Sequence, residues 1–213
     1  MKKIFIVGGD GFARECYNAL VHLPIYNTEV IFGGFLGHGG YGHTVDYKSY
    51  QHLYLGEVTD HKFQDDEYCI IGAAFPKLRE KIYNDLKKLG CKFYTLCIDC
   101  WSSDSLEYGE ANIFMNTIST VNIKIGNGNV FNGNIVIGHD SVIGDFNFFG
   151  PRSQVLGNVK IGSNNEIAVS SVFLPKSKIG SNNKIAPMSV IYKGCKDNCY
   201  MQGNPAIKIG VVE

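Results

Sequence analysis

The sequence predicts two units in series. Residues 1–100 read as an α/β domain with a small parallel sheet, and residues 101–213 as an all-β parallel β-helix of six-residue repeats. Three observations carry this reading. Strand-like and helix-like stretches alternate through the first half. From Ile125 onward a bulky apolar residue returns every sixth position. The chain has 213 residues, which suits one large domain or two small ones. A chain of that length buries about 70 % of the surface its unfolded form exposes, so it needs neither disulfide nor metal to fold.

Residues 4–7 are a β-branched and aromatic run ending at glycines, hence a buried strand. Gly8-Gly9-Asp10-Gly11 is a tight turn, and residues 12–20 form a helix with Phe12, Cys16, Ala19 and Leu20 on one face. Residues 30–36 and 68–73 are further strands. Leu78, Ile82, Leu86 and Leu89 have helical spacing, with Gly90 just past the helix end, and residues 92–98 are another strand. The order β-α-β-β-α-β gives a Rossmann-like unit, a small parallel sheet with helices on its faces. A glycine turn between strand and helix suits a phosphate, because the free N–H groups of the helix end point at it. Gly8, Gly11 and Ala13 fit only a loose G-x-x-G-x-A, however, and the nearest acid, Glu29, stands before the second strand instead of at its end. The turn therefore either binds a ligand or only reverses the chain. Segment 37–50, rich in Gly and Tyr, reads as a mobile loop. The remaining histidines of this half, His22, His43, His52 and His61, read as surface or loop residues, while His38 lies where it can touch a ligand.

Stepping by six from Ile125 lands on Phe131, Ile137, Ile143, Phe149, Val155, Ile161, Ile167, Phe173, Ile179, Ile185 and Ile191. The next position favours Gly or Ala (Gly138, Gly144, Ala168, Ala186), and the fourth favours Ser or Asn (Ser141, Asn147, Ser153, Asn165). Neither the helical period nor the strand period gives a six-residue repeat, whereas a parallel β-helix does. Each hexad makes one flat side, and three hexads make a triangular coil of eighteen residues. The bulky residue points inward, and small or polar residues take the corners. Coils stack at about 4.8 Å, so four give a prism of roughly 20 Å. Segment 192–201 breaks the pattern and is expected as a loop capping the last coil, with residues 205–209 returning as a short strand.

His139 follows Ile137-Gly138 and so sits at a corner, in register with Asn127, Gly133, Asp145, Pro151, Gly157, Val169, Pro175 and Pro187. A corner histidine can be a plain exposed turn residue. Two neighbours favour chemistry. One coil stacks Gly157 over His139, pairing a base that titrates near neutrality with a bare backbone whose N–H groups can meet an oxyanion. Asp140 follows directly and can orient the imidazole and support its protonated form. Asn132 lies one side earlier.

These residues resemble a family. The repeat is similar to the hexapeptide acyltransferases. End to end, the chain resembles the bacterial sugar O-/N-acyltransferases that include sialic acid O-acetyltransferases and nucleotide-activated 4-amino-sugar N-acetyltransferases. The segments that carry the resemblance run from Ile6 to Glu15 (IVGGDGFARE), Ile70-Ile71-Gly72 with Arg79, Ile137 to Phe146 (IGHDSVIGDF), Leu156 to Gly162 (LGNVKIG), and Gly203-Asn204-Pro205-Ala206. It implies a left-handed β-helix, a homotrimer with sites between neighbouring prisms, and acetyl-CoA as co-substrate along that groove. It implies an acetyl-CoA-dependent N-acetyltransferase acting on a nucleotide-activated amino sugar in bacterial surface glycan biosynthesis, working in the cytoplasm. The alternatives are a sugar O-acetyltransferase of the sialic-acid type and a non-catalytic trimeric nucleotide-binding protein. His139 would match the base, Asp140 its acidic neighbour, Asn132 a substrate contact and the Gly157 N–H the thioester-binding donor. Val169, with Ala168 and Ala186, would line the cofactor. Gly8, Gly9, Asp10, Gly11, Phe12 and His38 would contact the nucleotide-sugar. The chain departs from the pattern in having Phe148 where some members carry a second histidine. It has Leu36-Gly37-His38 where an Asp-Asp pair is usual, and Asp99-Cys100-Trp101-Ser102 before the prism. The first two departures leave the sugar and the nucleotide (UDP, dTDP, GDP or CMP) open.

Composition bounds the rest. Lys plus Arg and Asp plus Glu total 20 each, so no uniform cationic field points to nucleic acid or an anionic membrane as main partner. No apolar stretch reaches the roughly 20 residues that span a bilayer, and the N-terminal run is too short for a secretory signal. Seven cysteines without such a signal read as reduced cytosolic thiols. Cys97/Cys100 and Cys195/Cys199 can in principle form a four-thiolate zinc site, but such cysteines are more often buried hydrophobes, and no metal is expected. A zinc hydratase on the same prism would need several histidines where the prism has only His139. An NAD-dependent enzyme is disfavoured by the incomplete glycine fingerprint.

Overall fold

The computed structural model describes residues 1–40 and 48–212. Positions 41–47, the middle of the segment expected as a loop and the site of His43, lie outside the described residues. The chain divides into two compact units, Met1–Ala74 with Leu78–Ile98, and Phe75–Lys77 with Asp99–Glu213.

The first unit is built on β1 (Lys2–Val7), α1 (Gly11–Val21), β2 (Val30–Gly37), β3 (Tyr54–Glu57), β4 (Glu67–Ile71), α2 (Pro76–Lys88) and β5 (Lys92–Phe93). The strands form one parallel sheet of order β3-β2-β1-β4-β5. Ile4, Phe5, Ile6 and Val7 are fully buried, as a central strand covered on both faces requires. Helix α1 turns Phe12, Ala13, Cys16, Ala19 and Leu20 inward. Gly72 is a packing position, since a Cβ there would lie 2.7 Å from Ala13 Cβ and 2.9 Å from Ile6 Cγ2. Helix α2 ends in a Schellman motif: the Cys91 N–H bonds Leu86 O at 3.1 Å, the Gly90 N–H bonds Lys87 O at 3.0 Å, and Gly90 takes a φ of 74°. Leu89 falls beyond the helix and is exposed, unlike Ile82 and Leu86. Residues 92–98 do not form one strand but two, β5 and β6 (Leu96–Ile98). The sequence gives little sign of β3, which has only four residues and Gly56 at a φ of 109° on the sheet edge. Arg79 is buried and donates to Ile71 O and Ala73 O, tying α2 to the end of β4; burial lowers its pKa to about 10.

The second unit is a prism of parallel strands, and all twelve hexad residues from Ile125 to Ile191 line its interior. One face stacks Leu106–Tyr108, Ile123–Ile125, Val142–Ile143, Lys160–Ile161, Lys178–Ile179 and Gly194–Cys195. The long strand Val130–Ile137 runs across the other two faces. The coil repeats every eighteen residues, as in Val142↔Lys160 and Lys160↔Lys178. At each corner the third residue after the buried one takes a left-handed backbone, from Asn122, Asn134 and Asp140 through Asn158, Asn164, Ser170 and Lys176 to Asn182 and Met188. Asn suits that conformation best among residues with side chains.

Segment 192–201 is not a capping loop. Gly194–Cys195 and Cys199–Gly203 continue the prism, pairing with residues sixteen positions back (Lys178↔Gly194, Ile185↔Met201), and the shortened coil hides the six-step register. Ala206–Val211 returns antiparallel over Cys199–Gly203, as expected. The Ser and Asn residues of the fourth hexad position are buried, not at corners. Asn129, Asn147, Asn165 and Asn183 form a ladder in which the side-chain carbonyls of the first three each accept the backbone N–H and the amide of the Asn one coil on, for instance Asn147 N–H and Nδ2 to Asn129 Oδ1 at 2.9 and 3.0 Å, and that of Asn183 accepts the Cys199 N–H. No helix among the described residues is long and apolar enough to cross a membrane.

Candidate active site

The prism has three edges. The His139 edge stacks Val121-Asn122, His139-Asp140, Gly157-Asn158 and Pro175-Lys176, as the bonds Asp140 N–H to Val121 O, Asn158 N–H to His139 O and Lys176 N–H to Gly157 O establish. His139 Nδ1 lies 2.8 Å from Asp140 Oδ2. A carboxylate only accepts, so Nδ1 is the donor, and in the neutral ring Nε2 is the nitrogen left with the lone pair. Asn122 Nδ2 donates to Asp140 Oδ1 at 3.1 Å, holding the second carboxylate oxygen. The bonds from His139 and Asn122 hold the Asp140 carboxyl below its usual range. Asn122 is itself anchored, its N–H bonded to Ser105 Oγ at 2.8 Å. Sequence reasoning missed Asn122; its signal is the eighteen-residue offset from Asp140.

His139 Nε2 faces Gly157. A Cβ built on Gly157 would lie 2.5 Å from Nε2 and 2.7 Å from Cε1. Only glycine leaves the imidazole room in this pose, and the ring thereby stands beside a bare peptide N–H. The site is open, with the His139 side chain 56 % exposed. His139, Asp140 and Gly157 thus come together as expected: an oriented imidazole with an adjacent amide donor, the parts that general-base and oxyanion chemistry need.

The other expected residues do not join them within one prism. Val169 occupies a second edge, with Gly133-Asn134, Pro151-Arg152 and Pro187-Met188. Ala168 and Ala186 adjoin that edge, and so does Asn132, beside a register shift between Asn132 and Ile135. The face between the two edges carries Trp101, Ile118, Val136, Gln154, Val172 and Val190 outward. Trp101 and Ile118 are exposed, at 59 % and 45 %. The adjoining face presents Glu107, Lys124, Val142, Lys160 and Lys178 instead. One side of the prism is therefore markedly apolar and is flanked by both groups of expected site residues.

In the first unit the strand order reverses direction between β1 and β4, which places Gly8–Asp10 and Gly72 at the carboxyl ends where ligands bind such sheets. The helix end is not an open phosphate cradle. Asp10 is the N-cap of α1, and its carboxylate accepts the Ala13 N–H at 3.2 Å, so an anion already occupies the position expected for a phosphate. Phe12 is buried on the inner face of α1, so only its backbone is available to a ligand. Gly8 takes a φ of 131° and bonds Leu36 O at 2.9 Å, a structural demand for glycine. His38 lies in a cleft of about 370 Å³ with Val58, Thr59, Lys81 and Asp85, its Nε2 3.3 Å from Asp85 Oδ2. His61 is a loop residue, as expected, but only partly exposed: its Nε2 bonds the buried Glu67 at 2.8 Å, and its ring packs on Phe5. Among the described residues no group of three or more His, Cys, Asp or Glu is placed to hold a metal ion, and all seven cysteines are free thiols.

No protein-family model and no curated protein matches the chain. Solved structures match it over nearly its full length. A variant of perosamine N-acetyltransferase from Caulobacter crescentus, in complex with CoA and GDP-perosamine, is 18 % identical with a TM-score of 0.86, covering 99 % of this chain and 98 % of that one. The acetyltransferase domain of PglB from Neisseria gonorrhoeae, in complex with acetyl coenzyme A, is 17 % identical with a TM-score of 0.80, covering 98 % and 99 %. WeeI from Acinetobacter baumannii is 24 % identical with a TM-score of 0.80, covering 98 % and 100 %. At these identities the likeness is one of fold.

Proposed function

We propose that this chain is an acetyl-CoA-dependent N-acetyltransferase of nucleotide-activated amino sugars. The observation that carries the reading is the His139–Asp140–Gly157 cluster: a lone pair on Nε2, a carboxylate fixing the tautomer, and an amide N–H beside the ring. Supporting it, similar folds include one in complex with both CoA and GDP-perosamine. In the mechanism, the sugar amine attacks the thioester carbonyl carbon while Nε2 takes its proton. The Gly157 N–H bonds the carbonyl oxygen as it becomes an oxyanion, a contact worth about 3–4 kcal/mol. The intermediate then collapses, the C–S bond breaks, and the imidazolium returns the proton to the leaving thiolate. Asp140, held by Asn122, keeps Nδ1 protonated throughout.

The proposal extends to assembly. The apolar face is the natural contact between prisms, and a homotrimer would close it. Such packing would bring the Val169 edge of one copy towards the His139 edge of the next, uniting Asn132, Ala168, Val169 and Ala186 with the base. The prism is taken as left-handed and residues 1–100 as a Rossmann-like nucleotide-sugar domain, with Gly8–Gly11 and His38 near the substrate and residues 101–213 as the transferase. Free thiols and acetyl-CoA chemistry suit the cytoplasm. The test is product formation from acetyl-CoA with UDP-, dTDP-, GDP- and CMP-linked amino sugars, read by mass spectrometry. N-acetylated product lost in H139A supports the reading. Thiol release with hydroxyl acceptors alone favours O-acetylation, and no turnover with any acceptor defeats the proposal.

A further inference from the structure

On the edge opposite the apolar face, every corner N–H is closed by a side chain one coil further on. The Asn127 N–H donates to Asp145 Oδ1 at 2.6 Å, Asp145 N–H to Ser163 Oγ at 2.9 Å, Ser163 N–H to Ser181 Oγ at 3.0 Å and Ser181 N–H to Asp197 Oδ1 at 2.7 Å. The corner carbonyls, by contrast, are paired alike on all three edges. Asn164 N–H bonds Asp145 O at 2.9 Å, Lys176 N–H bonds Gly157 O at 3.0 Å, and Met188 N–H bonds Val169 O at 2.9 Å. The edges therefore share a backbone and differ in what stands beyond each N–H. Beyond Gly157 stands Pro175, and beyond Val169 stands Pro187. Proline offers no side-chain acceptor. Among the described residues neither the Gly157 N–H nor the Val169 N–H has one.

Proline also suits a corner because its φ is preset, but that advantage would serve every edge. The fully capped edge has none in this register, carrying Asn127, Asp145, Ser163, Ser181 and Asp197 instead. The two edges with open amides are the two that flank the apolar face.

We propose that Pro175 and Pro187 are positioning residues that keep the Gly157 and Val169 amides open for the carbonyl groups of an acyl-CoA, by denying each the side-chain acceptor that closes the equivalent amide elsewhere in the prism. The proposal rests on the acyl-transfer reading above. Gly157 N–H meets the thioester carbonyl, and Val169 N–H meets an amide carbonyl of the pantetheine arm.

The test pairs an acceptor with a neutral control at each site. In a crystal structure of P175S the serine Oγ is expected about 3 Å from Gly157 N, as on the capped edge. Turnover of P175S should fall about 10- to 100-fold, because an oxyanion donor is diverted, with the KM of the sugar unchanged. P175A, which supplies no acceptor, should keep wild-type turnover. P187S should weaken CoA binding, read by titration calorimetry, by about 3- to 10-fold, the worth of one hydrogen bond, and P187A should not. A capped Gly157 with P175S turning over like P175A would overturn the proposal, and so would a serine that leaves Gly157 uncapped. If the wild-type protein acetylates nothing yet binds CoA, the function reading falls alone, and P187S against P187A still decides this one. Wild-type protein that does not bind CoA overturns both.

Discussion

Replacing Gly157 with alanine separates the position of the proposed base from the stability of the fold. Gly157 does not occupy the left-handed region, so alanine meets no backbone strain there. The added Cβ would nevertheless lie 2.5 Å from His139 Nε2, 2.7 Å from Cε1 and 3.0 Å from Cδ2. Ordinary contact between such atoms is about 3.5 Å, so the ring must retreat by about 1 Å. It can do so cheaply, being more than half exposed, but the movement loosens the Nδ1 bond to Asp140 and withdraws Nε2 from the reacting nitrogen. A misplacement of that size costs on the order of 10²-fold in turnover, equivalent to about 2.7 kcal/mol of barrier. The assay is steady-state thiol release from acetyl-CoA, with thermal unfolding in parallel. G157A should lose about a hundredfold in kcat while its Tm stays within about 4 °C of wild type. Wild-type kcat in G157A would refute the placement of the imidazole over this glycine.

Other outcomes follow from the same geometry. His139→Ala should lower kcat on the order of 10²–10⁴-fold, with the oligomer unchanged by light scattering. Asp140 is held below the usual carboxyl range by His139 and Asn122, so its stabilising contact is complete above that range and is lost only as pH falls through the depressed value. It therefore stays ionised at every pH above that depressed value, and the acidic limb of kcat/KM should show one proton there; a limb of two protons would contradict this. Asn122→Gly keeps the left-handed backbone but removes the donor to Asp140 and should lower kcat about 2- to 10-fold. In an Asp140→Ala background that loss should vanish, as a double-mutant cycle will show. Asn147→Ala would leave the Asn165 N–H and Gly162 O without their buried partner and should cost about 2–4 kcal/mol, read by denaturant unfolding.

The part of the prism that keeps eighteen residues per coil was legible residue by residue, because each buried position recurs on one inner line. Legibility failed where the coil length changed. Before Ile125 the coil is one residue shorter (Tyr108↔Ile125), and after Ile191 it is two shorter, so the pattern lost step although the strands continued. The Ser and Asn positions resemble corner residues because polarity usually marks exposure; here their amides and hydroxyls bond to the neighbouring coil instead. His139, Asp140 and Gly157 were legible because the eighteen-residue offset is a distance in space. Asn122 obeys the same offset and could have been read. In the first unit, Asp10 shows the limit of motif reading: the glycine turn suggested a phosphate site, but the residue within it caps the helix. The short edge strand Tyr54–Glu57 has too few residues and too little burial to leave a pattern.

The most direct measurement is a crystal structure with acetyl-CoA and a nucleotide-linked 4-amino sugar bound to His139→Asn, which lacks the imidazole. The account predicts the thioester carbonyl oxygen about 3 Å from Gly157 N and the sugar amine within hydrogen-bond reach of residue 139. A thioester ordered away from the His139 edge, or an amine that approaches another side chain, would contradict it.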